Sequence, residues 1–118
     1  MQKLRNLDLI KLTCFLKDKA IEFDAPIWKE LAKRMEKSKH SRCTVNISQI
    51  NRYTQAHEVV TVPGKVLGSG ILDHNVSVAA FSFSERARKR IEESGGECLT
   101  FFSLIDKNPK GENLKIIE

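Results

Sequence analysis

The chain has 118 residues, which suffices for one hydrophobic core but not two, so we expect a single domain over 1–118. Its hydrophobic content of 41% is ordinary for a globular protein, and no apolar run approaches the ~18 residues of a membrane span. The net charge is +5, and residues 1–42 contain eleven Lys/Arg against six Asp/Glu, so the whole excess lies in the first third. A localised basic excess indicates an anionic partner.

The cysteine content argues against a disulfide framework. Three cysteines at wide spacing are an odd number, which favours reduced thiols in a cytoplasmic protein. The first residues contain no apolar run followed by a small-residue cleavage site, and we therefore expect no secretory signal.

Residues 6–37 predict two helices packed as an antiparallel hairpin. Apolar residues recur at helical spacing from Leu9 to Ala20. The segment 24–26, Asp-Ala-Pro, predicts a second helix start, with the aspartate as cap and the proline near the first helical position. Trp28 on that helix is predicted to be a core anchor.

A loop without any apolar residue follows at 37–42. We favour a phosphate-contacting loop over a solvated linker, because positive charge that neutralises phosphates is the main source of nucleic-acid affinity. The chain is thus divided into a basic helical part with its loop (1–42) and an α/β core (43–118).

The second part alternates strands and helices, which is typical of a small α/β or α+β unit. Pro63-Gly64 is predicted to break a strand, since proline cannot donate to a ladder. Ser48 is expected to cap a short helix, and Ser82 or Ser84 a longer one. Predicted strands cover 44–47, 58–62, 65–67, 76–83, 98–101 and 114–117, and predicted helices 48–53, 85–94 and 103–107.

The sequence lacks the motifs of a nucleotide site and the ligand set of a metal centre. The Gly64–Gly70 loop has its lysine after the first glycine, whereas a P-loop ends in G-K-S/T, and Asp73 stands where a dinucleotide fingerprint needs glycine. His40 and Cys43 have zinc-like spacing, but no second pair lies nearby and a structural zinc needs four ligands. Asp73-His74 is more typical of two exposed turn residues than of a catalytic dyad. We therefore expect no catalytic residue, no metal and no cofactor.

The pattern instead predicts a surface for RNA. Arginine grips phosphate with two parallel hydrogen bonds, lysine acts as a compact point charge, and tyrosine stacks on an unpaired base. Glycines let backbone N–H groups approach a ribose-phosphate. No helix-turn-helix pattern is present, so duplex DNA is a poorer candidate partner. The predicted RNA-binding residues are Lys37, Lys39, His40, Arg42, Asn46, Ser48, Asn51, Arg52, Tyr53, Lys65, Arg86, Arg88 and Lys89.

These residues have different expected roles. The cations of the loop, with Arg52 and Lys65, are expected to face phosphate. Asn46, Asn51 and Tyr53 are expected to orient them or to touch ribose and base. The basic residues of the 85–94 helix form a second contact.

Several motifs resemble one family. V-N-I-S-Q-I-N-R-Y-T (45–54), V-P-G-K-V-L-G-S-G (62–70), L-D-H (72–74), V-A-A-F-S-F-S (78–84) and N-P-K-G (108–111) are similar to the archaeal and eukaryotic large-subunit ribosomal protein family called "L eighteen e", kin of the bacterial "L fifteen". The match runs from about Leu7 to the C-terminus in the family's motif order. Gln49 departs from it, standing where a basic residue is usual.

The resemblance implies a structural constituent of the large ribosomal subunit, with an irregular α/β superhelical core and no catalytic activity. It implies ribosomal RNA and neighbouring ribosomal proteins as partners, in the cytoplasm, with no membrane and no small-molecule substrate. At the level of sequence two other functions stay open. One is a small nucleotide-binding enzyme using the Gly64–Gly70 loop, and the other is a cytosolic protein-interaction module.

Overall fold

The computed structural model describes residues 6–36 and 43–118. Helices and strands alternate along most of this part of the chain, and the predicted α/β class is confirmed. The elements are α1 (Asn6–Glu22), α2 (Pro26–Met35), β1 (Cys43–Asn46), α3 (Ile47–Tyr53), β2 (Glu58–Leu67), β3 (Val76–Phe83), α4 (Glu85–Glu93), β4 (Glu97–Leu99), α5 (Phe101–Lys107) and β5 (Leu114–Ile116).

The sheet has five strands in the order β1-β2-β3-β4, with β5 also paired to β2, and each of these pairings is parallel. Strand β3 runs along one edge of β2. The other edge of β2 is shared, because β5 pairs with its first half and β1 with its second half. Parallel strands need cover on both faces, and the near-continuous apolar sequence of β3 fits that requirement.

Two apolar cores cover the two faces of the sheet. Helices α1, α2 and α5 form the first core with Ala79 of β3, and Val59 packs against it. Helices α3 and α4 form the second core with Val60 and Val78. Adjacent sheet residues thus enter opposite cores, as the alternation of side chains along a strand requires.

Trp28 is a buried anchor of the N-terminal helices. Its side chain is 0% exposed, and its indole Nε1 donates to the carbonyl of Pro109 at 2.9 Å, so the predicted core anchor is confirmed. Helices α1 and α2 pack on one another, and their antiparallel arrangement stays a prediction. The expected Asp24 cap is wrong: Ala25 occupies the N-cap position without a side-chain bond, and Asp24 has a φ of 51° in the turn.

The predicted break at Pro63-Gly64 is also wrong, because β2 runs on to Leu67. Pairing with β3 shifts register between Val62 and Lys65, and this bulge accommodates the missing N–H of Pro63. Gly64 is needed for the close approach of β1, since a Cβ there would collide with the carbonyl of Cys43.

Two further helix starts differ from the sequence expectation. Helix α3 begins at Ile47, one residue before the predicted cap Ser48, because Ile47 is buried in the second core and Asn46 takes the N-cap position. Helix α5 begins at Phe101, which was predicted to end a strand, with Thr100 Oγ1 accepting from Ser103 N–H at 3.0 Å. For α4 the structure selects Ser84, whose Oγ accepts from Ala87 N–H at 3.1 Å.

The connection from β2 to β3 is the segment 68–75, outside any helix or strand, which we call the strap. Register places Val76 beside Glu58, so the chain must return along the whole of β2 before β3 begins. Because of the register shift, the eight steps from Glu58 to Val66 match seven steps of β3, and the return from Leu67 is roughly 26 Å at the usual rise per strand residue. The nine Cα steps from Leu67 to Val76 reach about 30–32 Å when fully extended. The strap therefore uses most of its reach, and it takes the place of the helix that usually joins parallel strands.

Candidate nucleic-acid interface

The carboxyl ends of β1, β2 and β3 bring three predicted RNA-binding segments to one edge of the sheet. Asn46 pairs with Leu67 and Val66 with Phe83, so these strands end side by side. Helix α3 follows β1 directly, the strap follows β2, and α4 begins one residue after β3. Open parallel sheets place their ligands at this edge.

Hydrogen bonds join the strap to α3 and to the turn that follows α3. Ser48 N–H donates to the carbonyl of Ser69 at 3.1 Å, and Asn51 Oδ1 accepts from Asp73 N–H at 3.1 Å. Beyond α3, His57 N–H donates to the carbonyl of Asn75 at 2.8 Å. These contacts hold the strap and α3 as one unit.

A side-chain chain of Thr54, His74 and Asp73 adds to this attachment. Buried Thr54 Oγ1 donates to the carbonyl of Ile50 at 2.6 Å and lies 2.7 Å from His74 Nε2. His74 Nδ1 in turn lies 2.9 Å from Asp73 Oδ1. The hydrogen bond from His74 lowers the pKa of the Asp73 carboxyl below its ordinary value. His74, a lone turn residue in sequence, thus joins the end of α3 to the strap.

On its other side the strap contacts α4. A Cβ added to Gly68 would lie 2.7 Å from Arg86 Cγ and 2.8 Å from Ala87 N, so only glycine permits this approach. Arg90 Nη1 donates to the carbonyl of Gly70. The strap thus lies between α3 and α4, and the two predicted RNA contacts flank one segment.

The strap glycines have a packing role that the sequence did not suggest. A Cβ on Gly70 would lie 2.5 Å from Ser48 Cβ, and Gly70 has a φ of +104°. Gly68 and Gly70 therefore admit neighbouring parts of the protein, and the expectation that glycines let the backbone approach a ribose-phosphate stays a prediction. The same close packing argues against a nucleotide pocket in the Gly64–Gly70 loop.

Three of the predicted polar residues hold α3 in place. Asn46 forms a capping box with Gln49, whose Oε1 accepts from Asn46 N–H at 3.2 Å. Ser48 packs on Gly70, and Asn51 accepts from the strap. Gln49 departs from the family's usual basic residue, and here it supplies an acceptor that a lysine or arginine lacks.

Arg52, Tyr53 and Lys65 are exposed side chains. Arg52 Cζ lies 6.0 Å from the centroid of the Tyr53 ring, which is a loose cation–π contact. Lys115 Nζ donates to the carbonyl of Tyr53 at 2.8 Å and adds a cation beside the end of α3.

Helix α4 presents its predicted cations at the surface. Arg86, Arg88 and Lys89 are exposed, and Arg88 Cζ lies 5.2 Å from the centroid of the Phe83 ring. Arg90, absent from the predicted set, is a neighbour of Arg86 at i+4 and lines the same cleft beside the strap. Helical spacing was the signal for it in the sequence.

The candidate cations share one property that only half of the other described lysines and arginines have. Among the described residues, Arg52, Lys65, Arg86, Arg88 and Lys89 form no ion pair with a carboxylate. Five other cations do, at 2.6 to 3.4 Å: Lys17, Lys19, Arg34, Lys107 and Lys115.

Some unpaired cations also lie on the N-terminal helices. Within the described ranges Lys11, Lys29 and Lys33 have no carboxylate partner either. Arg34 belongs to the basic run at the end of α2, but Glu30 and Glu118 take its guanidinium at 2.8 and 2.6 Å. The hydrogen bond to Glu30 is the main cause of a raised pKa for Arg34. Arg34 thus stabilises the fold at the C-terminus and adds little to the free positive charge.

The remaining predictions fall elsewhere. Lys37, Lys39, His40 and Arg42 lie outside the described residues. In the part of the chain that the structure covers, no group of three or more His, Cys, Asp or Glu is arranged to hold a metal. None of the helices in that part is long and apolar enough to cross a membrane.

Comparison with known proteins identifies the family. Residues 2–118 match the family model described as "Ribosomal protein 60S L18 and 50S L18e". The chain is 52% identical over 113 residues to a "Large ribosomal subunit protein eL18" of Methanothermobacter thermautotrophicus, an alignment that covers 96% of this chain and 93% of the relative.

Relatives of the same name in other archaea are almost as similar. Identity is 49% over 102 residues in Methanococcus maripaludis, covering 86% of this chain and 85% of the relative. It is 45% over 112 residues in Methanoregula boonei, covering 95% and 93%. The resemblance found in the motifs is confirmed, and the chain belongs to this family of large-subunit ribosomal proteins.

Proposed function

We propose that the protein is a structural constituent of the large ribosomal subunit that binds ribosomal RNA beside neighbouring ribosomal proteins, in the cytoplasm and without catalytic activity. One observation carries this proposal. Among the described residues, all five candidate cations lack a carboxylate partner, whereas five of the ten other lysines and arginines are ion-paired. A phosphate that binds an unpaired cation breaks no existing ion pair, and it releases counterions from the RNA.

The proposed surface has two kinds of residue. Arg52 and Lys65 contact phosphate, and exposed Tyr53 stacks on a base or packs on ribose. Asn46 and Asn51 act through their bonds within the protein, which keep α3 and the strap in register. Ser48 belongs to this supporting group because it packs on Gly70.

Two further groups add charge. Arg86, Arg88 and Lys89 provide a second contact on α4, across the strap from α3. The loop residues Lys37, Lys39, His40 and Arg42 provide phosphate contacts that rest on the sequence, where the basic excess is densest. The whole chain acts as one domain in this proposal, with 1–42 and 43–118 as its two parts.

The test replaces two unpaired cations and compares them with two paired ones. Arg52→Ala with Lys65→Ala lowers the net charge from +5 to +3. We expect weaker binding to large-subunit RNA and a slope of log affinity against log salt that is less steep by about 1.4–1.8, for two lost phosphate contacts. Filter binding at several salt concentrations measures both.

The matched control is Lys17→Ala with Lys107→Ala. This variant has the same net charge of +3, but both lysines are ion-paired, to Glu36 at 2.7 Å and to Glu97 at 3.2 Å. We expect its salt slope to stay near that of the unaltered protein. Equal slopes for the two variants would mean that binding follows net charge, and the proposed surface would then be wrong.

Sedimentation separates the proposal from the nucleotide-binding alternative. We expect the protein to sediment with large subunits through a salt-washed gradient, and ATP to leave its thermal unfolding unchanged. Stabilisation by ATP without sedimentation would instead support the enzyme. Close packing at Gly68 and Gly70 already argues against that outcome, because the space beside both glycines is filled by the protein.

A further inference from the structure

A cleft between the strap and α4 has features that the proposed phosphate contacts do not explain. Its volume is about 410 Å³, within the range of small-ligand sites. It is lined by Ile71, Leu72, Arg86, Lys89, Arg90, Glu93 and Ser94. We propose that this cleft receives one unpaired nucleotide of an RNA, with the base against Ile71 and the phosphate beside Arg86 and Lys89. The proposal rests on the RNA-binding function above and names the part of the RNA that this site takes.

The strap supplies an apolar wall that is exposed to solvent. Ile71 is 72% exposed, although the strap runs between two helices, and partly buried Leu72 next to it packs against the second core. An isoleucine this exposed buries little apolar surface and so contributes little to the stability of the fold. It provides an apolar surface on which the face of a base can lie.

The wall is held rigid. Arg90 Nη1 donates to the carbonyl of Gly70, the residue before Ile71, and Asn51 Oδ1 accepts from Asp73 N–H at 3.1 Å on the other side. Ile71 therefore cannot fold inward without breaking these contacts, which hold the strap before and after it. A pre-formed site binds with little loss of conformational entropy.

The two ends of the cleft differ in charge. Arg86 and Lys89 have no carboxylate partner among the described residues, and Arg90 uses one of its five N–H groups on Gly70. Glu93 lies at the opposite end of the cleft, about 10 Å along α4 from Arg86 at the rise of an α-helix. The phosphate therefore belongs at the Arg86 end. The base points toward Glu93, whose carboxylate accepts from an exocyclic amino group.

The combination fits an unpaired nucleotide better than a paired one. In a double-stranded RNA helix the faces of the bases are stacked and the major groove is too narrow for side chains. A bulged or looped base exposes its face, which guanidinium planes and apolar side chains can cover. Three cations against one carboxylate also favour a polyanion over a neutral peptide.

The test uses two short RNA hairpins that differ by one unpaired nucleotide in the stem. We expect the unaltered protein to bind the bulged hairpin more tightly, and Ile71→Ser to reduce that preference about fivefold or more, the effect of losing one apolar contact. Ile21→Ser is the matched control, because Ile21 is 82% exposed on α1, whose helix covers the opposite face of the sheet. It should keep the preference.

The outcomes distinguish this proposal from the general function. Equal, salt-dependent binding of both hairpins, or an unchanged preference in Ile71→Ser, overturns the cleft while RNA binding stands. If the protein binds neither hairpin and does not bind large-subunit RNA, the cleft and the proposed RNA-binding function are both overturned. Competition by a polyglutamate peptide that is lost in Ile71→Ser, without a bulge preference, would make the cleft an acidic-peptide site and also overturn the proposal.

Discussion

Replacing Gly70 by alanine tests whether the strap is held between α3 and α4 as described. Gly70 has a φ of +104°, and an added Cβ would lie 2.5 Å from Ser48 Cβ, 2.9 Å from Ser48 N and 3.0 Å from Ser48 Cα. Two effects therefore lower the free energy of unfolding of Gly70→Ala, and they add. A side chain at positive φ costs about 1–2 kcal/mol. Forcing an extra methyl into a filled space costs about 1–3 kcal/mol.

We therefore expect Gly70→Ala to lower the free energy of unfolding by about 2–5 kcal/mol. That is a large part of the ~5–15 kcal/mol typical of a domain. Urea unfolding, followed by the fluorescence of Trp28, the single tryptophan, measures it.

Gly95 provides a matched control. It has a φ of +91°, but the nearest atom to an added Cβ is Asn75 Cβ at 3.6 Å, which is an ordinary contact. Gly95→Ala therefore has the backbone cost without the collision, and we expect a loss of about 1–2 kcal/mol. The difference between the two variants isolates the contact between the strap and α3.

Adding Ser48→Gly to Gly70→Ala checks the origin of that difference. It removes Ser48 Cβ but leaves the backbone atoms at 2.9 and 3.0 Å, so only part of the stability returns. The coupling is read from a double-mutant cycle with Ser48→Gly alone. Equal losses for Gly70→Ala and Gly95→Ala, or no coupling to Ser48, would refute the close packing.

Three other measurements test the fold. Deleting Ser69 leaves eight Cα steps, which reach roughly 27–29 Å against the ~26 Å required, so the strap must straighten and give up hydrogen bonds to α3 and α4; we expect a loss of about 1–3 kcal/mol in urea unfolding. Inserting one glycine beside Ser69 should cost less than about 1 kcal/mol, and equal losses for the two variants would show that the length of the strap does not matter. Trp28→Phe removes the donor to Pro109 and leaves a void at a 0% exposed site, so we expect a loss of about 1–3 kcal/mol; because this variant has no tryptophan, its urea unfolding is followed by circular dichroism, and an unchanged midpoint would contradict the expectation. The pKa of Asp73 is lowered in the folded state by its hydrogen bond with His74. Its contribution to stability is therefore present above the unfolded pKa of about 3.9 and is lost as the pH falls through the folded value. Asp73→Asn should accordingly be less stable at neutral pH and approach the unaltered protein in acid, whereas a difference that is constant with pH would contradict the assignment.

Local signals in the sequence predicted most of the secondary structure. Strand β3 was predicted at 76–83 and is found at Val76–Phe83, because a β-branched and apolar run bounded by a turn and a cap needs no distant information. Helix α4 was predicted at 85–94 and ends at Glu93, for the same reason. The family motifs were also local, and the family was identified from them.

Errors arose where a distant segment decides the local structure. The local sequence at Pro63-Gly64 predicts a break in the strand. Its actual neighbours are β1, whose Cys43 carbonyl approaches Gly64, and β3, which shifts register to pass the proline. The same holds for Ile47, which joins α3 because the second core buries it.

The same distinction between local and distant information applies to the candidate site. Residue types alone indicated the cations and Tyr53, since charge and aromaticity belong to single side chains. The partners of Ser48, Asn51 and Gly70 are set by a strap that must span β2 in eight residues, and that requirement exists only once the strands are parallel. Strand direction comes from pairings between residues far apart in the chain. The sequence by itself therefore determined the helices, most strands, the charge and the family, while the tertiary structure decided which surface those residues form.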